Sequence, residues 1–432
     1  MAKVKTEFWS LSPDKISKLF FYLLIVSLPT QLGKHFWPNF SFAYGLRLDY
    51  LSPTIYFTDI LILLIFIFSF KTFLTWIKHI PREQLLVFVL FLVSLSLGLA
   101  SAKNYWAGTY GIVKFLEFSF LAYFVSKKYK LFNKTVLFSC VFVSIFFEAL
   151  LTFWQYLNQG SIGGIFYFFG ERAFNAATPG IANASVNGQL FLRPYATFSH
   201  PNVLAGFFVL SILLLLLFSF RNKKLMLTKI VGIVLGTFAL LLTLSRTAIF
   251  IWITYLVLLF GLWMYKKYKK RKLNPYLLVA IILACLIVVI FIILQNNYIL
   301  QRFLTTQLSD ESVVQRQLLV SQSLNMFWQN PLLGVGINNF YNNINLFKDN
   351  VFLIQPVHNI FLLILSETGI IGLCAFLALL LKTFIVVVKK QNKFLLLCLL
   401  AIIFLGMFDH YFLTLQQGQL LFTVILSLSL IQ

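Results

Sequence analysis

Twelve mostly apolar stretches, many within the roughly 17 to 25 residues that cross a hydrocarbon core as a helix, occupy most of this 432-residue chain. They lie near 16–32, 54–70, 84–101, 109–126, 135–154, 201–220, 228–244, 247–264, 275–295, 358–381, 394–408 and 418–431. In lipid every backbone polar group must find a partner inside the protein, and a helix achieves this within one segment. With 60% hydrophobic and only 11% charged residues, the composition is not that of a soluble domain. The expected fold is all-α, a polytopic integral membrane protein of about 12 transmembrane helices, read as a single transmembrane domain over 1–432.

Sidedness follows from lysine and arginine, which accumulate in short cytoplasmic connections. Lys3, Lys5, Lys15 and Lys18 precede the first span, and Lys127, Lys128, Lys130 and Lys134 follow the fourth. The run Lys266–Lys272 follows the eighth, and Lys382, Lys389, Lys390 and Lys393 follow the tenth. With Lys71, Lys78 and Arg82 after the second span and Arg221, Lys223, Lys224 and Lys229 after the sixth, and only Glu7, Asp14 and Glu83 opposing them on this side, one face accounts for the net +22 of the chain. That charge is a topology signal, and no basic stripe interleaved with exposed aromatics points to nucleic acid. Both termini are expected in the cytoplasm, with the first span retained because no small-residue cleavage site follows it. The localisation expected is the plasma (inner) membrane, crossed many times.

Cys140, Cys285, Cys374 and Cys398 all fall inside apolar stretches, where thiols pack as small hydrophobes and form no disulfide framework. Asp49, Asp59, Glu171, Asp310, Glu311, Asp349 and Asp409, on the other face, show no D-x-D spacing for a divalent ion. The chemistry expected here uses no metal and no cofactor.

The unusual residues gather on the extracytoplasmic side. A loop at 33–53 carries His35 and Arg47 among aromatics that read most simply as an interfacial belt. The next long loop closes with Arg193-Pro194-Tyr195 and then His200-Pro201-Asn202 as the chain re-enters the apolar series. Proline suits the first turn of a helix. Ser245-Arg246 sits in a very short turn between spans seven and eight, where an arginine either snorkels to headgroups or points into a polar cavity. The largest interruption, an extracytoplasmic loop at 296–357 between spans 9 and 10, is expected to be partly helical. It holds Arg302 and Arg316, the latter opening an amphipathic pattern of Leu319, Val320, Leu324 and Phe327 that Asn330-Pro331 stops. Gly334-Val335-Gly336 lacks both the strand-first context of a dinucleotide fold and the Lys-Ser/Thr of a P-loop. His358-Asn359 opens the next span, with Glu367 and Gly369 further along it, and a lone histidine at such a place is more often structural.

Taken in order, these residues carry a resemblance. Ser245-Arg246, Arg316, Asn330-Pro331-Leu332-Leu333-Gly334-Val335-Gly336, His358-Asn359, Glu367-x-Gly369-Ile370-Ile371-Gly372 and Asp409-His410 resemble the signature of the O-antigen ligase and polymerase superfamily. The likeness spans 190–430, expected to be the catalytic region, while the helices of 16–154 share only hydropathy and topology with it. The resemblance implies a glycosyltransferase of GT-C-like architecture, an O-antigen ligase of lipopolysaccharide biosynthesis and the cell envelope. It would transfer a glycan from an undecaprenyl-diphosphate carrier to an acceptor hydroxyl, on lipid A-core or another lipid- or protein-borne acceptor. It implies catalytic roles for Arg246, Arg316 and His358, and a part for Asp409. Substrate contacts are expected from Arg193, Tyr195, His200, Asn202, Arg302, Asn359, Glu367 and His410.

Physical chemistry is consistent with those residue types. A departing lipid diphosphate accumulates negative charge and needs fixed donors where the bond breaks. Guanidinium groups stay protonated and present a planar fork to phosphate oxygens. An acceptor hydroxyl needs its proton polarised or removed, which a histidine can do near neutral pH, as base or as positioner. Direct displacement would invert the anomeric centre. Three other readings remain open on the sequence: a polymerase of the same superfamily, a protein O-glycosylating ligase, and a lipid or glycan transporter. The last would place ionisable groups near mid-membrane in repeated halves, whereas only Lys114, Glu117 and Glu148 fall inside spans and no repeat is visible.

Overall fold

The computed structural model describes residues 12–80, 82–186, 189–269, 275–294, 311–344 and 354–431. Every one of the twelve apolar stretches is occupied by a helix. They are α1 (Pro13–Val26), α2 (Phe57–Ile77), α3 (Arg82–Gly98), α4 (Tyr105–Lys128), α5 (Lys134–Asn158), α6 (Pro201–Leu217), α7 (Lys223–Leu242), α8 (Arg246–Tyr268), α9 (Pro275–Leu294), α11 (Ile360–Lys389), α12 (Lys393–Gly406) and α14 (Gln416–Leu430). Two further helices, α10 (Glu311–Gln329) and the single turn α13 (Tyr411–Thr414), lie in connections. Helices α2, α5, α7, α8 and α11 are each long and apolar enough to cross a membrane.

The loops between them depart from a purely helical expectation. Three small antiparallel ribbons form there: β1 (Gly33–His35) with β4 (Thr54–Tyr56), β2 (Phe42–Ala43) with β3 (Leu46–Arg47), and β5 (Asn183–Val186) with β6 (Gln189–Leu192). Each lets a connection satisfy its own backbone groups close to the apolar region.

Helix α6 is the axis of the bundle. It is buried around its whole circumference from Val203 to Leu216, as expected for a helix apolar on every face. Helices α5, α7, α8, α12 and α14 pack around it, and α1 lies between α2 and α5. Gly206 on α6 faces Tyr411, and any side chain there would collide with the Tyr411 hydroxyl. That close approach sets the turn carrying Asp409 and His410 beside the start of α6.

Helix α11 is broken at Gly369, whose φ of 64° lies in the left-handed region. A break inside an apolar span frees backbone groups that lipid cannot satisfy, and the turn at 331–336 supplies the partners. The Ile370 amide donates to the Pro331 carbonyl at 2.9 Å, Val335 to Ser366 at 2.9 Å and Gly336 to Glu367 at 3.0 Å. The Asn-Pro-Leu-Leu-Gly-Val-Gly run and the Glu-x-Gly-Ile-Ile-Gly run are therefore two halves of one backbone clip.

The amphipathic helix in the late loop is present but turned. Leu319, Gln322, Ser323 and Met326 form the buried side of α10, while Leu324 is exposed. Leu319 and Met326 pack with Val335, Phe340 and Leu363. The Ser323 hydroxyl donates to the Leu362 carbonyl at 2.9 Å, holding that face against α11. Arg302 lies outside the described residues.

Candidate active site

The loops at one end of the bundle are stitched to one another by hydrogen bonds between distant parts of the chain. Gln31 Nε2 donates to Gly170 O at 3.0 Å, Tyr44 Oη to Ile344 O at 2.6 Å, and Asn104 Nδ2 to Phe40 O at 2.8 Å. Beneath them a cavity of about 1670 Å³ opens, lined at this end by Tyr50, Arg172, His200, His358, Asp409 and His410. It continues past Tyr56, Lys114 and Gln416 to Phe73, Phe120 and Lys127. Lys114 is not a free charge there, since it pairs with Asp59 at 2.6 Å and Glu117 at 3.0 Å.

A polar chain ties the walls of the cavity together. The Arg193 Nε donates to the Thr243 carbonyl at 2.8 Å and its Nη2 to Asn202 Oδ1 at 2.7 Å; Asn202 Nδ2 then donates to Asp409 Oδ2 at 3.0 Å. Thr243 precedes Leu244, which at φ 51° makes the sharp turn into Ser245-Arg246. A leucine held in that region of backbone space costs about 1–3 kcal/mol, and the buried Arg193 anchors the turn. Arg193 thus works behind the cavity, linking the turn that carries Arg246 to the carboxylate of Asp409. Arg246 itself is half-buried, at the first position of α8.

Three histidines surround Asp409. His200 caps α6, its Nδ1 accepting the Asn202 amide at 3.1 Å. The His410 amide donates to Asp409 Oδ1 at 2.8 Å, and its ring Nδ1 lies 2.6 Å from Thr414 Oγ1. The rings of His358 and His410 meet edge to face with centroids 5.1 Å apart. His358 Nδ1 is buried with no hydrogen-bond partner among the described residues.

Electrostatics keeps these imidazoles neutral. Burial, with Arg193 as the next contributor, pushes His200 down to about 3, and burial likewise pushes His410 down to about 3. Burial also lowers His358 from 6.5, opposed by Asp409 and assisted by the positive charge of Arg316. Asp409 is raised by burial, but the neighbouring histidines and the Asn202 hydrogen bond outweigh this and hold the carboxylate below its ordinary range. Arg316, exposed on α10, is felt at both His358 and His410.

Several residues expected to touch substrate also have structural partners. Tyr195 is 2% exposed, and its hydroxyl accepts the Ala182 amide at 2.8 Å. Asn359 is the N-cap of α11, accepting the Phe361 amide at 2.9 Å, while its Nδ2 donates to Met407 O at 3.2 Å. The Glu367 carboxylate accepts the Phe340 amide at 3.1 Å, and the residue lines the cavity beside the backbone clip.

Other residues of the site were not anticipated. Tyr50, from the loop whose aromatics resembled an interfacial belt, meets the His410 ring at 5.9 Å and stacks on Tyr341 at 5.1 Å. Arg172 reaches the same cavity from the loop after α5. Nothing local in the sequence distinguishes either from a surface residue. Among the described residues no group of three or more His, Cys, Asp or Glu side chains could hold a metal ion.

No curated protein matches this chain. A family model described as O-antigen ligase matches residues 231–377, the stretch that contains Arg246, Arg316, His358 and the two halves of the clip. His200, Asn202, Asp409 and His410 lie outside the matched stretch and meet it only in three dimensions. With its series of long apolar helices, this chain is an integral membrane protein that carries an O-antigen ligase family domain.

Proposed function

We propose that this protein transfers a glycan from undecaprenyl diphosphate to a hydroxyl of a lipid-borne acceptor, lipid A-core or another cell-surface glycan, on the extracytoplasmic face of the plasma membrane. The observation that carries this reading is the convergence of His358, His410, His200 and Asp409 on one cavity, with Arg316 near enough to depress His358 and His410. The cavity's apolar continuation suits a polyprenyl chain, and the basic connections lie at the opposite ends of the helices.

In the reaction, the acceptor oxygen attacks the anomeric carbon as the bond from that carbon to the diphosphate oxygen breaks. The electron pair leaves with the diphosphate, whose growing charge Arg246 and Arg316 meet with guanidinium donors. The acceptor proton passes to His358, kept neutral by burial and therefore able to accept it. Asp409 stabilises the imidazolium that forms. One displacement inverts the anomeric centre.

The test is a reconstituted assay with a labelled polyprenyl-diphosphate glycan and an acceptor glycolipid. Free polyprenyl diphosphate and labelled acceptor should appear together, and both should vanish in Arg316→Ala and His358→Ala proteins that remain folded. Label crossing the bilayer without release of polyprenyl diphosphate would make the protein a transporter. Label joined to a second carrier-linked glycan would make it a polymerase.

A further inference from the structure

Arg172 sits on a loop fixed from both sides. Its neighbour Glu171 is buried, and that carboxylate accepts Gln155 Nε2 at 2.6 Å, the Ile162 amide at 2.8 Å and the Gly163 amide at 2.7 Å. On the preceding side, Thr30 Oγ1 donates to Phe169 O at 2.7 Å and Gln31 Nε2 to Gly170 O at 3.0 Å. Gly170, at φ 101°, turns the chain where a side chain would strike Thr30 and Gln31. These five hydrogen bonds hold the residues just before Arg172, and on the following side the Phe174 amide donates to Ser161 Oγ at 3.1 Å while the Ser161 amide donates to Phe174 O at 2.9 Å.

The guanidinium so held is exposed and lines the cavity together with His200, His358 and Asp409. Among the described residues its hydrogen bond is one long contact, Nη2 to the Ser199 carbonyl at 3.3 Å, which leaves most of its five N–H donors available to a ligand. Its charge reaches the His35 ring and the Tyr50 hydroxyl. Burial pushes that hydroxyl upward, keeping it protonated and a donor. A cation and a phenol at the mouth of a cavity, one on a braced loop, suit an oxyanion better than a neutral sugar.

We propose that Arg172, together with the Tyr50 hydroxyl, is a phosphate-binding subsite that contributes to substrate capture at this end of the cavity. It rests on the glycosyl-transfer reading above and deepens it. The anion is a phosphate oxygen of the lipid-linked donor or a phosphate carried by the acceptor.

The experiment measures binding of polyprenyl diphosphate, and separately of a phosphorylated acceptor glycolipid, to the full-length protein in nanodiscs over a range of salt concentrations. The proteins compared are wild type, Arg172→Gln, Arg172→Lys, Tyr50→Phe and Arg316→Ala. Arg172→Gln should weaken one of the two ligands roughly tenfold, as loss of a charged hydrogen bond does, and should flatten the salt dependence of that ligand alone. Arg172→Lys should recover part of the loss, which a merely structural role for Arg172 would not produce. Which ligand responds identifies the source of the phosphate. If Arg316→Ala weakens polyprenyl diphosphate while Arg172→Gln leaves both ligands and their salt slopes unchanged, the subsite is refuted and the glycosyl-transfer reading stands. If wild type binds neither ligand, both fail.

Discussion

Asn202 donates to Asp409 across 3.0 Å while accepting Arg193 on its other amide atom at 2.7 Å. This one side chain joins the start of α6 to the turn before α14, although 207 residues separate them. Replacing it with leucine removes both bonds and leaves a buried guanidinium and a carboxylate to find new partners. Transfer should fall about tenfold to a hundredfold, the scale of an unsatisfied buried polar pair. Asn202→Asp should also impair it, because an added carboxylate beside Asp409 repels it. Steady-state transfer of a labelled glycan measures both.

Arg246 and Arg316 stand on separate elements, α8 and α10, and in the proposed reaction serve the same leaving group; the charge of Arg316 is felt at His358 and His410. Each alanine substitution should lower the rate of polyprenyl diphosphate release by about 10²–10³, typical of a preorganised donor to developing charge. Lysine should restore only part, since it offers a point charge and not a planar fork. Equal rates in wild type and Arg316→Ala would remove Arg316 from the mechanism.

His358 gives the reaction its pH dependence. Its burial-lowered pKa keeps the imidazole neutral at and above 6.5, so transfer should be flat above neutrality and decline only as pH falls below that ordinary value. Arg316 helps hold the pKa down, so in Arg316→Gln the residual activity should lose its acid limb at a higher pH than wild type. A pH–rate profile of both proteins decides this.

His200 and His410 make the folded protein sensitive to acid in a second way. Both are pushed from 6.5 to about 3, so the unfolded chain binds protons that the folded one refuses as pH falls through that window. Their contribution to stability is complete above 6.5 and lost progressively toward about 3. The melting midpoint in detergent should therefore hold steady above neutrality and drop on acidification, and His410→Gln should reduce the drop.

Much of the architecture could be read before any coordinates, because apolar stretches of membrane-crossing length admit few outcomes. The helices in all twelve apolar stretches follow from them, whereas Asn359, expected at the substrate, is the N-cap of α11. Local pattern failed where a residue's meaning depends on a distant partner. The Gly-x-Gly run makes sense only against Ser366 and Glu367, and Leu324 points outward because Ser323 bonds Leu362. Tyr50 looked like one more interfacial aromatic, since its neighbours His410 and Tyr341 come from far along the chain.

The clip at the break in α11 yields a prediction independent of catalysis. Gly334 and Gly369 both have positive φ, 70° and 64°, and their Cα atoms face the backbone of the opposite half, Glu367–Thr368 and Leu332 respectively. Alanine at either site meets two penalties together, a left-handed backbone and a collision with backbone that has nowhere to move. The conformational part alone is worth about 1–3 kcal/mol, and the collision adds the freed amides of Val335, Gly336 and Ile370. Gly369→Ala should therefore lower the melting midpoint markedly, whereas alanine at Gly261, which faces open space, should leave it unchanged apart from a slight gain in helix propensity. Since the clip also carries Glu367 to the Phe340 amide, Gly369→Ala should raise proteolysis of the 331–344 segment before global unfolding. Equal melting and equal proteolysis in Gly369→Ala and Gly261→Ala would show that the break is held by something other than this turn.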